Sequence, residues 1–138
     1  MSIGPGTVVV GVDGSDTAER ALYYAFGVAS RQHSRIVAVH AVSTLNSYHS
    51  MATLPPVVDT ELDAELEKSV IELADELGIS ASYLSVAGDP ATVILRIARE
   101  EKADAIIVGA SKALAHKLYG STAVRAVRRC SCPVTVVP

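Results

Sequence analysis

Residues 104–121 read DAIIVGASKALAHKLYGS, and this stretch indicates how the rest of the chain folds. Ala105 to Val108 form an apolar run with the length and β-branched content of a strand buried on both faces. Gly109 follows at once, and Gly120-Ser121-Thr122 then precedes the apolar spacing of a helix. A strand, a glycine-bearing loop and a helix N-terminus present backbone N–H groups and a positive dipole end to an anion. The stretch therefore predicts a phosphate site.

The chain of 138 residues has the size of one domain, which we place over residues 1–138. No apolar run approaches the ~20 residues needed to cross a bilayer. The N-terminus MSIGPGTVVV has neither the basic segment nor the long apolar segment of a secretory signal. We therefore expect a cytoplasmic protein with neither membrane nor nucleic acid as a partner.

Charge is distributed unevenly along the chain. Residues 1–104 hold 15 acidic and 7 basic residues, a net charge of −8, whereas residues 105–138 hold no acidic and 5 basic residues, a net charge of +5. The basic third also holds the proposed anion loop, where Lys112, His116 and Lys117 are candidates to meet a phosphate. The arginines of the last helix have a second explanation, because basic side chains near a helix C-terminus favour its dipole.

Predicted strands and helices alternate along the whole chain. The predicted strands are residues 7–12, 35–42, 80–86, 105–108 and 131–137, and the helices between them include one over residues 57–78. Five strands alternating with four helices predict an α/β fold with a parallel sheet and helices on both faces. Ligands bind such a sheet where its winding reverses, outside the carboxyl ends of the strands. If strands 1 and 4 are neighbours at that point, Asp13 and Gly109 lie side by side.

Asp13 is the acidic residue with the strongest functional interpretation. It follows the first buried strand, where a carboxylate can accept hydrogen bonds from sugar hydroxyls. The alternative is that Asp13 only caps the next helix, but Ser15 and Asp16 are better placed for that role. His40 lies within strand 2, where we expect a core residue whose hydrogen bonds are satisfied.

The phosphate-loop and hydrolase patterns do not fit the chain. No glycine begins the phosphate-loop pattern G-x-x-x-x-G-K-[ST]. Ser111 follows a strand as a hydrolase nucleophile does, but no acid follows Asp104 to complete a triad in the order of that fold. Cys130 and Cys132 are too close in sequence for an ordinary structural disulfide, and no further ligands are spaced to complete a metal site with them. We therefore predict a protein without rapid catalytic turnover and without a resident metal.

The last strand predicts a partner chain. Val134, Thr135, Val136 and Val137 form a flat apolar strand at the end of the chain, and the last strand of such a sheet lies at an edge. An exposed edge invites pairing with another chain, so a homodimer through this strand is predicted, with cover by helix packing as the alternative.

At this point the residues resemble the universal stress protein family over essentially the full length. The resemblance is carried by VVVGVDGSDTAERAL, IVAVHAV, GDPATVILRIAREEKADAIIVGAS and GSTAVRAVRRCSCPVTVVP. It implies a stress-response protein with a Rossmann-like fold of the adenine nucleotide alpha hydrolase-like kind. Its sheet has five parallel strands in the order 3-2-1-4-5, which puts the switch point between strands 1 and 4. It also implies a homodimer, usually through strand 5.

The resemblance also implies a ligand. Family members that bind an adenine nucleotide have G-x-x-G, nine residues and then G-[ST] between strand 4 and its helix. Gly109 matches the first glycine and Gly120-Ser121 the last pair, while Lys112 stands at the second glycine and the interval is two residues shorter. Asp13 matches the acid that contacts ribose, and Ala41 matches the backbone position that reads adenine.

The resemblance thus implies ATP as ligand, with AMP, ADP or cyclic AMP as alternatives and Mg²⁺ accompanying ATP. Gly109 would lie beneath the sugar and phosphates, and Lys112, His116 and Lys117 would neutralise charge in a loop of altered geometry. The phosphate would be held by three consecutive residues, Gly120, Ser121 and Thr122. The alternative hypothesis is a nucleotide-free dimeric interaction module in which the same loop is only a surface.

Overall fold

A computed structural model describes residues 6–42, 59–110 and 121–138. Strands and helices alternate as the sequence predicts. The strands are β1 (Thr7–Gly11), β2 (Arg35–Val42), β3 (Ala81–Ala87), β4 (Ala105–Gly109) and β5 (Val134–Val137). The helices are α1 (Asp16–Gln32), α2 (Thr60–Leu77), α3 (Pro90–Glu100) and α4 (Ser121–Arg129). The elements predicted over residues 57–78 and 131–137 were too long, because α2 starts at Thr60 behind its cap Asp59, and β5 starts at Val134, after Pro133. The bounds of β1, β3 and β4 differ from the predicted ones by one residue.

The five strands form one parallel sheet in the order β3-β2-β1-β4-β5, which confirms the predicted order. β1 pairs on one side with β2, from Thr7 opposite Arg35 to Gly11 opposite Val39. On its other side it pairs with β4, where Val10 lies opposite Ile107. The winding therefore reverses between β1 and β4, and ligands bind such sheets at that switch point.

The alternating side chains of the central strands feed two hydrophobic cores, one on each face of the sheet. One core joins Val8, Val10 and Ile36 to α1 and α2. The other joins Val9, Val37 and Ile106 to α3. The central strands are mostly apolar, as expected for strands whose two faces are both buried. Within the described parts of the chain, no helix is both long and apolar enough to cross a membrane.

Helix starts are fixed by polar caps, and the first of them bears on the site. The N–H of Ala18 donates to Oγ of Ser15 (3.2 Å), so Ser15 caps α1. Asp59 and Asp89 cap α2 and α3 in the same way. Because Ser15 fills the capping role, the carboxylate of Asp13 is not needed for it.

The rotation of α4 leaves one of its valines exposed to solvent. The side chain of Ala126 is fully buried, whereas Val127 is 59% exposed. A helix turns by about 100° per residue, so burying Ala126 rotates Val127 toward solvent. Val127 therefore lies among the exposed apolar side chains, as does Val136 of β5.

Candidate functional site at the switch point

Three of the predicted site residues lie at or just after the carboxyl ends of neighbouring strands, at one edge of the sheet. Asp13 comes two residues after the end of β1, Ala41 is the penultimate residue of β2, and Gly109 is the last residue of β4. The strands are parallel and adjacent in the order β2-β1-β4. Their carboxyl ends therefore present all three residues at the same edge, as predicted for a switch-point ligand.

Asp13 is exposed, and its carboxylate is oriented by its own turn. Its Oδ1 accepts a hydrogen bond from the N–H of Ser15 at 2.9 Å. Among the described residues, no group donates to its Oδ2. A carboxylate oxygen has two lone pairs, so Asp13 can accept hydrogen bonds from a hydroxyl-bearing ligand without losing its turn.

The backbone of Ala41 points past the end of β1. Alternate residues of a strand direct their backbone N–H and C=O groups to opposite neighbours. The C=O of Val39 accepts from the N–H of Val12 at 2.9 Å, beyond the last residue of β1. Ala41 faces the same side two residues later, where β1 has ended. A donor and an acceptor thus point at the space above β1, which suits the polar edge of a base.

Gly109 is required by packing, and this was not foreseen from the sequence. A Cβ at this position would lie 2.5 Å from the carbonyl carbon of Thr17, 2.6 Å from its oxygen and 2.7 Å from the nitrogen of Ala18. These are backbone atoms at the start of α1, and they cannot move aside as a flexible side chain can. The glycine therefore lets α1 approach the end of β4.

The remaining predicted site residues lie in or next to the connection from β4 to α4. Lys112, His116, Lys117 and Gly120 lie outside the described residues. Ser121 and Thr122 are the first two residues of α4. The start of this helix thus lies where the sequence predicts it, and the positive end of its dipole lies at that start.

A polar cluster beneath α2 was not predicted as a unit. Nδ1 of His40 in β2 lies 3.0 Å from Oδ1 of Asp63 in α2, and the hydroxyl of Tyr83 in β3 donates to the same oxygen. His40 is only 8% exposed, so the expectation of a satisfied core histidine is correct. The hydrogen bond from Tyr83 lowers the pKa of Asp63 most, burial opposes it, and His40 lowers it further. The cluster anchors α2 over the ends of β2 and β3, next to Ala41.

Tyr83→Phe should destabilise the protein by about 1.5 kcal/mol at pH 7, since it removes a hydrogen bond to a charged carboxylate. The folded pKa of Asp63 lies below its ordinary value of 3.8, so this stabilisation is fully present above that value. It is lost as the pH falls through the folded pKa. Urea unfolding at pH 7 and at pH 3 measures this, and the difference between wild type and variant should shrink at pH 3. Tyr24→Phe is the matched control, because Tyr24 on α1 is 47% exposed. This variant should leave the free energy of unfolding unchanged at both pH values.

Arg125 of α4 is engaged with the cap of α3. Its guanidinium lies 2.8 Å from the carboxylate of Asp89 and also donates to the hydroxyl of Thr92. Burial alone would raise the pKa of Asp89, but hydrogen bonds from Thr92 and Arg125 outweigh it and lower that pKa. Arg125 therefore ties α4 to α3 through an ion pair, a structural role different from the predicted interaction with the helix dipole.

A cavity of about 430 Å³ lies between α1 and α2, on one side of the switch point. Its apolar lining includes Leu22 and Leu66, and Gly14 and Ser15 border it. Four carboxylates also line it, those of Glu19, Glu65, Glu72 and Glu76. Their charge repels an anion, so this cavity does not suit a phosphate group.

Comparisons with known proteins agree with the fold. A model described as the universal stress protein family matches residues 5–138. A universal stress protein of Methanocaldococcus jannaschii is 30% identical, with 94% of this chain and 80% of the relative covered. Another from Thermus aquaticus is also 30% identical, with 95% of this chain and 97% of the relative covered. A universal stress protein solved in complex with cAMP has 25% sequence identity and a TM-score of 0.72, covering 95% of this chain and 94% of that one.

Proposed function

This chain belongs to the universal stress protein family, and from that premise we propose that it binds an adenine nucleotide at the switch point between β1 and β4. The observation that carries the proposal is the shared edge at which the Asp13 carboxylate, the Ala41 backbone and the end of β4 are presented. The similar structure that contains cAMP supports an adenine ligand. ATP is the first candidate, with AMP, ADP and cyclic AMP as alternatives.

Each part of the nucleotide has a group of matching chemistry. The backbone N–H and C=O of Ala41 pair with the edge of the adenine, and the free oxygen of Asp13 accepts from a ribose hydroxyl. The phosphates extend along the connection after Gly109 toward Gly120, Ser121 and Thr122, where the first turn of α4 offers N–H donors. Lys112, His116 and Lys117 add positive charge. No acidic residue occurs after Asp104 to oppose it.

Mg²⁺ fits the proposal as a companion of ATP. Within the described residues, no three His, Cys, Asp or Glu side chains are grouped to hold a metal ion. Mg²⁺ is commonly held by substrate phosphates and water with few protein ligands. We expect the ion to enter with the triphosphate, and the protein to retain the nucleotide without rapid hydrolysis.

Isothermal titration calorimetry with ATP and Mg²⁺ at moderate salt tests the proposal. We expect saturable binding of ATP and weaker binding of GTP, because Ala41 is placed to read the base. Inorganic triphosphate should bind more weakly still, since it offers neither base nor ribose. Absence of binding at millimolar ATP would overturn the proposal in favour of the nucleotide-free interaction module.

The proposed functional unit is a homodimer through β5. This strand lies at the edge of the sheet, and Val136 on it is 41% exposed. Edge strands leave backbone groups on one side unpaired, and a second copy of the strand can satisfy them while covering the valine. The exposed Val127 of α4 would extend the covered area.

Val136→Lys should convert the dimer to a monomer, because the charge would be buried without a partner at the contact. Sedimentation velocity at micromolar concentration measures the shift. Ile71→Lys is the matched control, since Ile71 on α2 is 42% exposed and lies away from the β5 edge. A wild-type chain that sediments as a monomer, or a Val136→Lys chain that remains dimeric, would contradict this interface.

A further inference from the structure

The turn between α4 and β5 brings the only two cysteines of the chain together. Cys130 follows the last residue of α4, and Cys132 comes shortly before β5, with the exposed Ser131 between them. Their Sγ atoms are 2.9 Å apart, and both thiols are free and half-buried. Two sulfurs at this separation are in direct contact, although neither the nucleotide site nor the sheet requires a pair of thiols here.

The contacts make the two sulfurs unequal. The backbone N–H of Cys132 donates to Sγ of Cys130 at 3.3 Å, and a second hydrogen bond, in which either thiol can be the donor, joins the two sulfurs. Cys130 is thus the sulfur that accepts a backbone N–H, a contact that favours negative charge on Cys130 over negative charge on Cys132. Burial is the largest cause that raises the pKa of Cys132 to about 12, and the hydrogen bond and charge of Cys130 add to it. The pair therefore has one sulfur that accepts a backbone hydrogen bond beside one whose burial favours the protonated thiol.

We propose that Cys130 and Cys132 form a reversible redox pair, which is oxidised to an intramolecular disulfide by a peroxide or by a small-molecule disulfide. With hydrogen peroxide, the Cys130 thiolate attacks one oxygen, the O–O bond breaks, and Cys130 becomes a sulfenic acid while hydroxide leaves and takes up a proton. The sulfur of Cys132 then attacks the sulfur of Cys130, the S–O bond breaks, and the proton of Cys132 leaves with the oxygen as water. In total, two thiols and one peroxide give one disulfide and two waters.

Ring size makes such a disulfide easy to reverse. The ring would close through a single intervening residue, and small strained disulfides have more oxidising potentials than relaxed structural ones. The pair should stay reduced against a reducing thiol pool and close when the oxidant rises. The two thiols lie between the end of α4 and the start of β5. A disulfide between them would therefore constrain the turn that leads into the edge strand. The proposal does not depend on nucleotide binding.

The test uses the full chain equilibrated with glutathione at increasing ratios of oxidised to reduced form, and separately with hydrogen peroxide. Remaining thiols are labelled with N-ethylmaleimide after acid quenching, and the intact mass is measured. Because the chain has two cysteines, the reduced form takes two labels, whereas the disulfide form takes none and is lighter by two hydrogens. We expect an unlabelled monomer in oxidised glutathione that returns to two labels after dithiothreitol.

Single variants test the assigned roles. Cys132→Ser keeps Cys130, which should react with iodoacetamide at neutral pH on the order of tenfold faster than the Cys132 that remains in Cys130→Ser. Both variants should form mixed disulfides with glutathione, and urea unfolding verifies that both fold. Two labels on the wild type in fully oxidised glutathione, disulfides only between chains, or faster labelling of Cys132 would each overturn the proposal.

Discussion

Gly109→Ala should destabilise the protein by about 3 kcal/mol, because it forces a methyl group into backbone that cannot yield. The added carbon would meet Thr17 and Ala18 at 2.5 to 2.7 Å, closer than real Cβ contacts occur. The start of α1 would have to shift, although its residues Ala18, Ala21 and Leu22 are buried in the core. Urea unfolding measures the loss, and the thermal midpoint should fall by roughly 3 °C per kcal/mol.

Gly27→Ala is the matched control for this prediction. Gly27 lies inside α1, and a Cβ there would meet only the flexible end of Arg31, at 3.3 Å. Glycine inside a helix costs roughly 0.5–1 kcal/mol relative to alanine, so this variant should gain about that much stability. The same substitution should thus lower the stability of the protein at position 109 and raise it at position 27. A stable Gly109→Ala variant that had lost only nucleotide binding would show that the glycine serves the ligand and not the packing.

Gly109 shows which features of the candidate site can be predicted from the sequence and which cannot. Its place after a buried apolar run predicts the end of a strand, and the alternation around it predicts the parallel sheet. The reason for a glycine there depends on the backbone of α1, which is distant in sequence from β4. A local pattern cannot show that close approach, so the residue was interpreted only as a ligand contact. The position was predictable, but the packing requirement was not.

The polar cluster beneath α2 could not be predicted for the same reason. His40, Asp63 and Tyr83 come from three separate elements, and 20 and 23 residues separate Asp63 from its two partners. The only signal in the sequence was a histidine on the inward side of a strand, which requires some partner. Which acid supplies it depends on the rotation of α2 over the sheet.

The distribution of charge was predictable, and it separates two candidate ligand sites. Four glutamates of α1 and α2 line the cavity between those helices, whereas the acid-free third of the chain begins at β4. An anionic ligand is therefore repelled on one side of the switch point and attracted on the other. In the proposed complex, this difference would direct the phosphates of a nucleotide toward α4 and leave Asp13 to face the neutral ribose.

Asp13→Asn should weaken ATP binding by about tenfold to thirtyfold, since a hydrogen bond to a charged group contributes about 1.5–2 kcal/mol. The substitution keeps an oxygen for the N–H of Ser15, so the turn should survive, and it removes only the charge. Charge alone predicts the opposite result, because removing a negative group near a triphosphate should strengthen binding. Calorimetric titration of the variant therefore distinguishes a ribose contact from a general field effect.

Glu76→Gln is the control for net charge, since it removes one negative charge from the cavity between α1 and α2 and should leave ATP binding unchanged or slightly tighter. The contact itself is tested with 2′-deoxy-ATP and 3′-deoxy-ATP. The wild type should bind at least one of them more weakly than ATP, because that analogue lacks the ribose hydroxyl from which Asp13 would accept a hydrogen bond. Asp13→Asn should bind ATP and that analogue with nearly equal affinity, since the variant already lacks the carboxylate to which the missing hydroxyl would donate. If the variant still prefers ATP as strongly as the wild type does, Asp13 does not hold the ribose.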